Sequence, residues 1–210
     1  MRKDFFYIIA FLFALIILRI FFFEIYTINQ NSMNNTYKAG NKVLIIKNFY
    51  SITYNDVIIF KHENKKMIKR CIGLPGNTFK IIKGKTYLDN VLIPLPSNAV
   101  DKKNSESDAF SRSEIYSTYG KNEWTLYNFG AFLIPKKGMV IALNPKNIIL
   151  YKKLIEEENV DDLNLTKERY IFQDDFYFLM GDNRAESVDS RFFGPVKKAD
   201  ITGKVILKVW

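Results

Sequence analysis

The stretch MIKRCIGLPGN, residues 67–77, decides the fold class, because it joins the composition of a β-strand to the Gly and Pro residues that end one. Side chains alternate between the two faces of a strand, so Lys69 shares its face with Met67 and Cys71. Arg70 lies on the other face, between two isoleucines. Because neither face is plainly polar, we expect this strand to lie in a sheet that is covered on both sides.

Segments of the same kind recur along the chain and predict a mainly β domain. They are rich in Ile, Val, Phe and Tyr and are separated by Gly, Asn and Asp. Tight hairpin turns are predicted at IKGK (82–85) and LDNV (88–91). The other strand-like segments are KVLIIK (42–47), DVIIFK (56–61), TFKIIKG (78–84), KTYLD (85–89), GMVIAL (138–143), DFYFLMGD (175–182) and ITGKVILKVW (201–210).

One helix interrupts this pattern at residues 144–159, where Asn144 can cap the amino end and Pro145 fits the first turn. The polar, aperiodic stretch at 97–117 indicates a mobile loop. We therefore predict a β core with an inserted α/β subdomain. The predicted boundaries are 27–83 for the first part of the core, 84–174 for the insertion and 175–210 for the second part of the core.

Residues 5–26, FFYIIAFLFALIILRIFFFEIY, are apolar except for Arg19 and Glu24. A helix of this length matches the roughly 30 Å hydrocarbon layer, which predicts a transmembrane anchor. A cleaved signal peptide is the alternative, but no small-residue cleavage site of the Ala-x-Ala kind follows. Arg2 and Lys3 predict that residues 1–4 stay in the cytoplasm and that the remaining chain lies across the membrane.

The charge and cysteine content exclude several other classes of protein. The formal net charge of +9 suits anionic lipids as well as nucleic acid, but no nucleic-acid-binding motif is present, so we predict no nucleic-acid partner. Cys71 is the only cysteine, which rules out an intrachain disulfide and a thiolate metal cluster. His62 is the only histidine and is predicted in an exposed turn. No metal and no organic cofactor is implied.

Three stretches combine polar residues with the turns typical of a site: QNSM (30–33), the stretch at 67–77, and GDNRAESVDSRFFGPV (181–196). A lysine in an apolar environment has a lowered pKa, so Lys69 can supply a neutral amine near neutral pH. Such an amine can activate a serine where no histidine is at hand. Each residue also has a structural interpretation: Ser32 as a loop hydroxyl, and Lys69 as a surface lysine.

Together the three stretches resemble the motifs of bacterial type I signal peptidases, the membrane-bound Ser/Lys proteases that remove signal peptides from exported proteins. The family has a Ser-Met motif after its anchor, here Ser32-Met33. Its Lys-Arg-x-x-Gly-Leu-Pro-Gly motif appears at 69–76, and its Gly-Asp-Asn-Arg-x-x-Ser-x-Asp-Ser-Arg motif at 181–191. The resemblance covers the anchor and the β core but not the insertion. It implies a signal-peptidase-type β core, preproteins as substrates, contact with membrane lipids, and a place in the bacterial inner membrane.

The resemblance also implies a role for each matching residue. Ser32 is expected to be the nucleophile and Lys69 its general base, with Ser187 hydrogen-bonded to the Lys69 amine. The backbone N–H of Ser32 is expected to bind the oxyanion, and Gln30 stands where some members have a serine that adds a second donor. The residues expected to brace the third motif are Asp189, Arg191 and Arg184.

Some positions depart from the family pattern, and they keep other functions open. Asn35 replaces a proline, and Asn41, Asn55 and Asn77 replace turn residues. A catalytically degenerate, membrane-anchored β module that binds extended peptides is therefore the alternative function. A self-cleaving repressor of the LexA type uses similar chemistry but needs a DNA-binding helix-turn-helix at its amino end. A peptidase that matures pilins or serves conjugation differs mainly in substrate.

Overall fold

The chain begins with a long helix that passes directly into a strand of the main sheet. The computed structural model describes residues 2–100, 124–158 and 168–210. Helix α1 covers Arg2–Phe22, and by length and composition it could cross a membrane, with none of its apolar window buried in the protein. The predicted anchor 5–26 is therefore too long, because Phe23–Thr27 form a strand. Apolar residues on a strand extended the apolar run beyond the helix end.

Strands dominate the rest of the described chain, which confirms the prediction of a mainly β fold with an amino-terminal apolar helix. The strands in chain order are β1 Phe23–Thr27, β2 Lys42–Ile46, β3 Val57–His62, β4 Lys65–Gly73, β5 Thr78–Ile82, β6 Lys85–Leu88, β7 Val91–Leu92, β8 Phe129–Leu133, β9 Val140–Ala142, β10 Arg169–Ile171, β11 Phe176–Met180, β12 Val196–Lys197 and β13 Ile201–Lys208. The described residues contain two further α-helices, α2, Pro145–Glu157, and the short α3, Ser190–Phe193.

The strands form three sheets. The largest has the order β1-β2-β13-β3-β4-β11-β12, a second has the order β7-β6-β5-β8, and β9 pairs with β10. The first part of the core was predicted to reach residue 83. The last strand that this part contributes to the large sheet is β4, which ends at Gly73, and β5 belongs to the second sheet. The core also starts earlier than residue 27, because β1 pairs with β2 along its whole length.

Hairpins and caps form where the local sequence predicts them. At Lys83-Gly84 and at Asp89-Asn90 both residues have positive φ, the conformation of a two-residue hairpin turn. Asn144 caps α2 by accepting the N–H of Asn147, as predicted. The predicted loop at 97–117 lies outside the described residues from residue 101 onward.

Candidate active site

Ser32 and Lys69 meet beside β4 of the large sheet. The Nζ of Lys69, on β4, lies 2.6 Å from the Oγ of Ser32, in the turn that follows β1. Lys69 is 1% exposed and Ser32 is 8% exposed. Lys69 is thus buried, as an apolar environment requires, and its amine contacts the hydroxyl that the family resemblance implies is the nucleophile.

Burial changes the acid–base chemistry of this lysine. Loss of hydration, partly offset by the charge of Asp189 and reinforced by that of Arg191, lowers the pKa of Lys69 from 10.5 to about 8. A substantial fraction of the amine is therefore neutral at mildly alkaline pH. A neutral amine within hydrogen-bond distance of a hydroxyl can take its proton, which is what a serine nucleophile needs.

The turn at residues 31–37 holds Ser32 in position because the next residue, Met33, is anchored. Met33 is fully buried in a cluster of apolar side chains beneath the turn, and its Sδ accepts the N–H of Asp182 at 3.3 Å. The carbonyl of Ser32 accepts the N–H of Asn183 at 2.9 Å. Within the described residues, the N–H of Ser32 donates to no acceptor, so it is available to a ligand.

A largely buried ion pair, to which the motifs alone assigned no role, joins this turn to β4. Arg70 donates through Nε and Nη2 to the two carboxylate oxygens of Asp182, at 2.8 and 2.6 Å. Thr36 donates its hydroxyl to the same carboxylate, and Asn35 donates its side-chain amide to the Asp182 carbonyl at 3.4 Å. Both members of the pair lie within the motifs at 69–76 and 181–191, which is the one sequence signal that pointed to them.

The third motif is held by a second buried ion pair, between Asp189 and Arg191. Arg191 donates to both oxygens of the Asp189 carboxylate at 2.9 Å and to the Arg184 carbonyl at 2.7 Å. Burial raises the pKa of Asp189, but the charge and hydrogen bonds of Arg191 and the Gly181 N–H outweigh it and hold the pKa below its usual value. Asp189 and Arg191 are thus bound to each other inside the motif, and Arg191 also ties the Arg184 carbonyl to them.

Ser187 is placed differently from the expectation. Its hydroxyl lies close enough to Asp189 to stabilise the carboxylate, but it makes no hydrogen bond of good geometry within the described residues, and none to Lys69. The hydroxyl packs against Gly181, where an added Cβ would lie 2.2 Å from Ser187 Oγ and 2.6 Å from the Ser32 carbonyl oxygen. Gly181 therefore allows Ser187 and the Ser32 turn to approach each other.

Gln30 and Arg184 also differ from their expected positions. Gln30 donates its side-chain amide to the Lys66 carbonyl on β4 at 3.3 Å, while its Oε1 is buried without a partner in the described chain. Arg184 is buried and contacts the sulfur of Met180. Its side chain lines a cavity of about 230 Å³, and its backbone carbonyl accepts a hydrogen bond from Arg191.

The other candidate groups do not reach the site. Cys71 is buried, and burial raises its pKa to about 12, as a structural thiol requires. His62 was predicted in an exposed turn, but it is the last residue of β3 and is half-buried. Its ring is tilted against that of Phe193, with the two centroids 4.2 Å apart. In residues 2–100, 124–158 and 168–210, no cluster of His, Cys, Asp and Glu could hold a metal ion.

The departures from the family pattern are accommodated locally. Asn55 adopts a φ of +71° where the family has Gly. Asn41 accepts the Lys38 N–H and Asn77 accepts the Leu74 N–H, each at 2.9 Å through the side-chain oxygen, as an aspartate would. These substitutions therefore keep the turns of the β core.

The fold and site define a mainly β protein that can activate a serine hydroxyl with a buried amine. The chain matches the family model described as "Signal peptidase, peptidase S26" over residues 2–210. It belongs to this family of serine endopeptidases.

Two curated relatives agree with this assignment. Signal peptidase I of Buchnera aphidicola subsp. Acyrthosiphon pisum (strain APS) is 29% identical, covering 94% of this chain and 71% of that protein. Signal peptidase I of Aquifex aeolicus (strain VF5) is 28% identical, covering 99% of this chain and 83% of that protein. A match was also found with the crystal structure of a signal peptidase I from Enterococcus faecalis V583. The two sequences are 21% identical, the TM-score is 0.39, and the match covers 76% of this chain and all of that chain.

Proposed function

We propose that this protein is a membrane-anchored signal peptidase that cleaves exported preproteins with Ser32 as nucleophile and Lys69 as general base. The observation that carries the proposal is the 2.6 Å contact between Lys69 Nζ and Ser32 Oγ in a buried site, together with a Lys69 pKa of about 8. The only histidine packs elsewhere, against Phe193, so no other described side chain next to Ser32 offers a comparable base.

In the acylation step, neutral Lys69 takes the hydroxyl proton as Ser32 Oγ attacks the scissile carbonyl carbon. The resulting oxyanion accepts a hydrogen bond from the Ser32 N–H. The C–N bond then breaks, and protonated Lys69 gives its proton to the leaving amine, which is the new amino terminus of the mature protein. The signal peptide stays bound to Ser32 as an ester.

In the deacylation step, a water molecule attacks the ester and Lys69 accepts one of its protons. The C–O bond to Ser32 breaks, and Lys69 returns the proton to the serine hydroxyl. The signal peptide leaves with a free carboxylate, and the neutral amine is restored. A second oxyanion donor would come from Gln30, whose amide must first leave the Lys66 carbonyl.

The substrate would bind as an extended chain along β4. Strand β11 pairs only with residues 70–73 of β4, so the half of β4 from Lys65 to Lys69 has a strand partner on one side alone. The Lys66 carbonyl faces the segment leading to Ser32, because Tyr26 and Gln30 both donate to it. A peptide that adds its backbone here would bring its scissile bond near Ser32.

The anchor would place this site at the membrane surface. Helix α1 ends at Phe22, only ten residues before the nucleophile. Arg2 and Lys3 favour a cytoplasmic amino end, which puts the catalytic domain on the outer face of the bacterial plasma membrane. A signal peptide emerging from the bilayer would present its cleavage region at this height.

The test is cleavage of a purified preprotein by the full chain in lipid at mildly alkaline pH, with the amino terminus of the product sequenced. We expect Ser32→Ala to lower the rate by about 1,000-fold or more, because no other group can form the ester. The matched control is Ser51→Ala, which removes an exposed serine hydroxyl. If neither the native chain nor Ser32→Ala cuts while both bind the preprotein, the chain is a peptide-binding module.

A further inference from the structure

The carboxyl end of α1 is capped by residues from the turn that follows β2. The last carbonyls of a helix have no partner within the helix. Here Lys47 donates its Nζ to the Ile20 carbonyl, Asn48 donates its side-chain amide to the Phe21 carbonyl at 2.6 Å, and the Lys47 N–H donates to the Phe22 carbonyl at 2.9 Å. Three consecutive helix carbonyls are thus satisfied by Lys47 and Asn48, which together with Phe49 form what we call the interface turn.

Phe49, the tip of this turn, is unusual in two respects. It is 91% exposed, the most exposed large apolar side chain in the described residues. Its φ is +56°, a left-handed conformation that is disfavoured for a bulky residue. Its ring contacts Phe22 at 5.7 Å between centroids, so it extends the apolar surface of α1 sideways at the helix end.

A water-exposed position explains neither feature. A strained backbone that displays a phenylalanine to solvent gains nothing from burial, and a surface residue with a small or polar side chain would fit the turn better. At the end of a transmembrane helix both features are favourable. Aromatic rings are enriched at that boundary, backbone groups there need partners, and a lysine nearby can reach the lipid phosphates.

We propose that the interface turn is a lipid-docking element: Phe49 inserts into the boundary between head groups and acyl chains at the outer end of α1, and Lys47 and Asn48 lock the catalytic domain to the helix. This rests on the proposed membrane anchor. Its consequence is a fixed height of Ser32 above the bilayer, because β1 starts and β2 ends at this lock, and these two strands flank the nucleophile turn.

The direct test is the depth of nitroxide labels on the full chain in vesicles of phosphatidylcholine with a minority of phosphatidylglycerol. Labels are placed at Phe49→Cys, at Phe13→Cys within α1, and at Val91→Cys, an exposed apolar residue of the second sheet. Native Cys71 is buried and reacts slowly. We expect the first two labels to be accessible to oxygen and shielded from a water-soluble nickel complex, and the third to be accessible to nickel.

A Phe49 label as accessible to nickel as the Val91 label, with the Phe13 label in lipid, would overturn the docking element and leave the anchor intact. A water-accessible Phe13 label would remove the anchor, and the docking element with it. Neither result touches the chemistry of Ser32, which the cleavage assay tests separately.

The functional test compares two substrates. Phe49→Asp should lower kcat/KM for a vesicle-inserted preprotein about 10-fold, because a charge at the lipid boundary tilts the domain and misplaces the site. Cleavage of a soluble peptide that spans the same site should change by less than about 2-fold, since its approach does not depend on the bilayer. Val91→Asp is the matched control. Equal loss on both substrates, or loss on neither, would contradict the proposal.

Discussion

Arg70 and Asp182 connect the strand that carries the candidate base with the turn that carries the candidate nucleophile. Their two hydrogen bonds, at 2.8 and 2.6 Å, link residues that are 112 positions apart in the chain. Asp182 is fully buried and also receives the Thr36 hydroxyl. The pair therefore positions Ser32 through the turn without contacting it.

Asp182→Asn should lower kcat for a soluble peptide by about 10- to 100-fold and the free energy of unfolding by about 3 kcal/mol, because Arg70 loses its counter-charge inside the protein. The pH midpoint of activity should not move, since Asp182 does not contribute to the pKa shift of Lys69. Glu156→Gln, which breaks an exposed pair with Lys152, is the control and should change little. A shifted midpoint would show that Asp182 acts on the base itself.

The pH dependence of activity should report the lysine. Because Lys69 must be neutral to accept a proton and its pKa lies at about 8, kcat/KM should rise with pH and level off above about 8. Cys71 does not titrate in this range, because burial raises its pKa to about 12. His62→Gln should leave the profile unchanged. A pH midpoint of kcat/KM that shifts in His62→Gln would contradict the assignment of Lys69 as the base.

Removing the amine should stabilise the protein. Folding a protonated Lys69 into this site costs about 3 kcal/mol, the free energy that corresponds to lowering its pKa from 10.5 to about 8. Lys69→Met should therefore raise the free energy of unfolding by about 1 to 3 kcal/mol at pH 7, after the loss of the hydrogen bond to Ser32.

The stabilisation by Lys69→Met should depend on pH in a defined direction. Below pH 8 Lys69 is protonated in both the folded and the unfolded state of the unsubstituted protein. The full free-energy cost of burying the charged amine is therefore present. Between about 8 and 10.5 the unfolded chain binds more protons, so the native protein gains stability as pH rises and the advantage of Lys69→Met shrinks. Denaturant titrations at pH 7 and pH 10 measure this. An advantage that is constant with pH would contradict the account.

Gly181→Ala should damage the site through its Cβ, which would lie 2.2 Å from Ser187 Oγ and 2.6 Å from the Ser32 carbonyl oxygen. We expect kcat to fall about 100-fold, since such a clash displaces the nucleophile turn. Gly138→Ala is the control: Gly138 has a φ of +81° and open space around it, so alanine there strains the backbone without entering the site. Equal activity of the two variants would show that the close approach at Gly181 is not needed.

Gln30→Ala tests the second oxyanion donor. Because the amide must give up the Lys66 carbonyl before it can serve the oxyanion, its loss should lower kcat only about 10-fold, less than the usual effect of an oxyanion donor. KM should change little. Asn31→Ala, the exposed neighbour, is the control. An unchanged kcat would mean that the Ser32 N–H acts alone.

Much of the fold could be predicted because it is encoded locally. Enrichment in Ile, Val, Phe and Tyr between turn residues marked the strands, two-residue turns marked the hairpins, and Asn144-Pro145 marked the start of α2. The helix-to-strand boundary at Phe22 could not be placed, because apolar residues suit both a lipid-facing helix and a sheet face. The strand at β5 was predicted, but not the sheet to which it belongs, because its sequence fits either sheet.

The site could be predicted only in part, for a related reason. Ser32 and Lys69 were found through motifs, each contained in a short stretch. The pairing of Arg70 with Asp182 depends on how β4, β11 and the Ser32 turn meet in space, which no local pattern reports. The expected bond from Ser187 to Lys69 fails on the same ground, because the rotamer of a buried serine is set by its packing against Gly181.

The measurement that tests the central claim most directly is preprotein cleavage by Lys69→Met beside Lys61→Met, which alters an exposed lysine of β3. Both variants are compared with the native chain in the same lipid at mildly alkaline pH, with folding checked by denaturant titration. We predict that Lys69→Met is folded and at least about 1,000-fold slower, while Lys61→Met is unaffected. A folded Lys69→Met that still releases mature protein at the native rate would contradict the account.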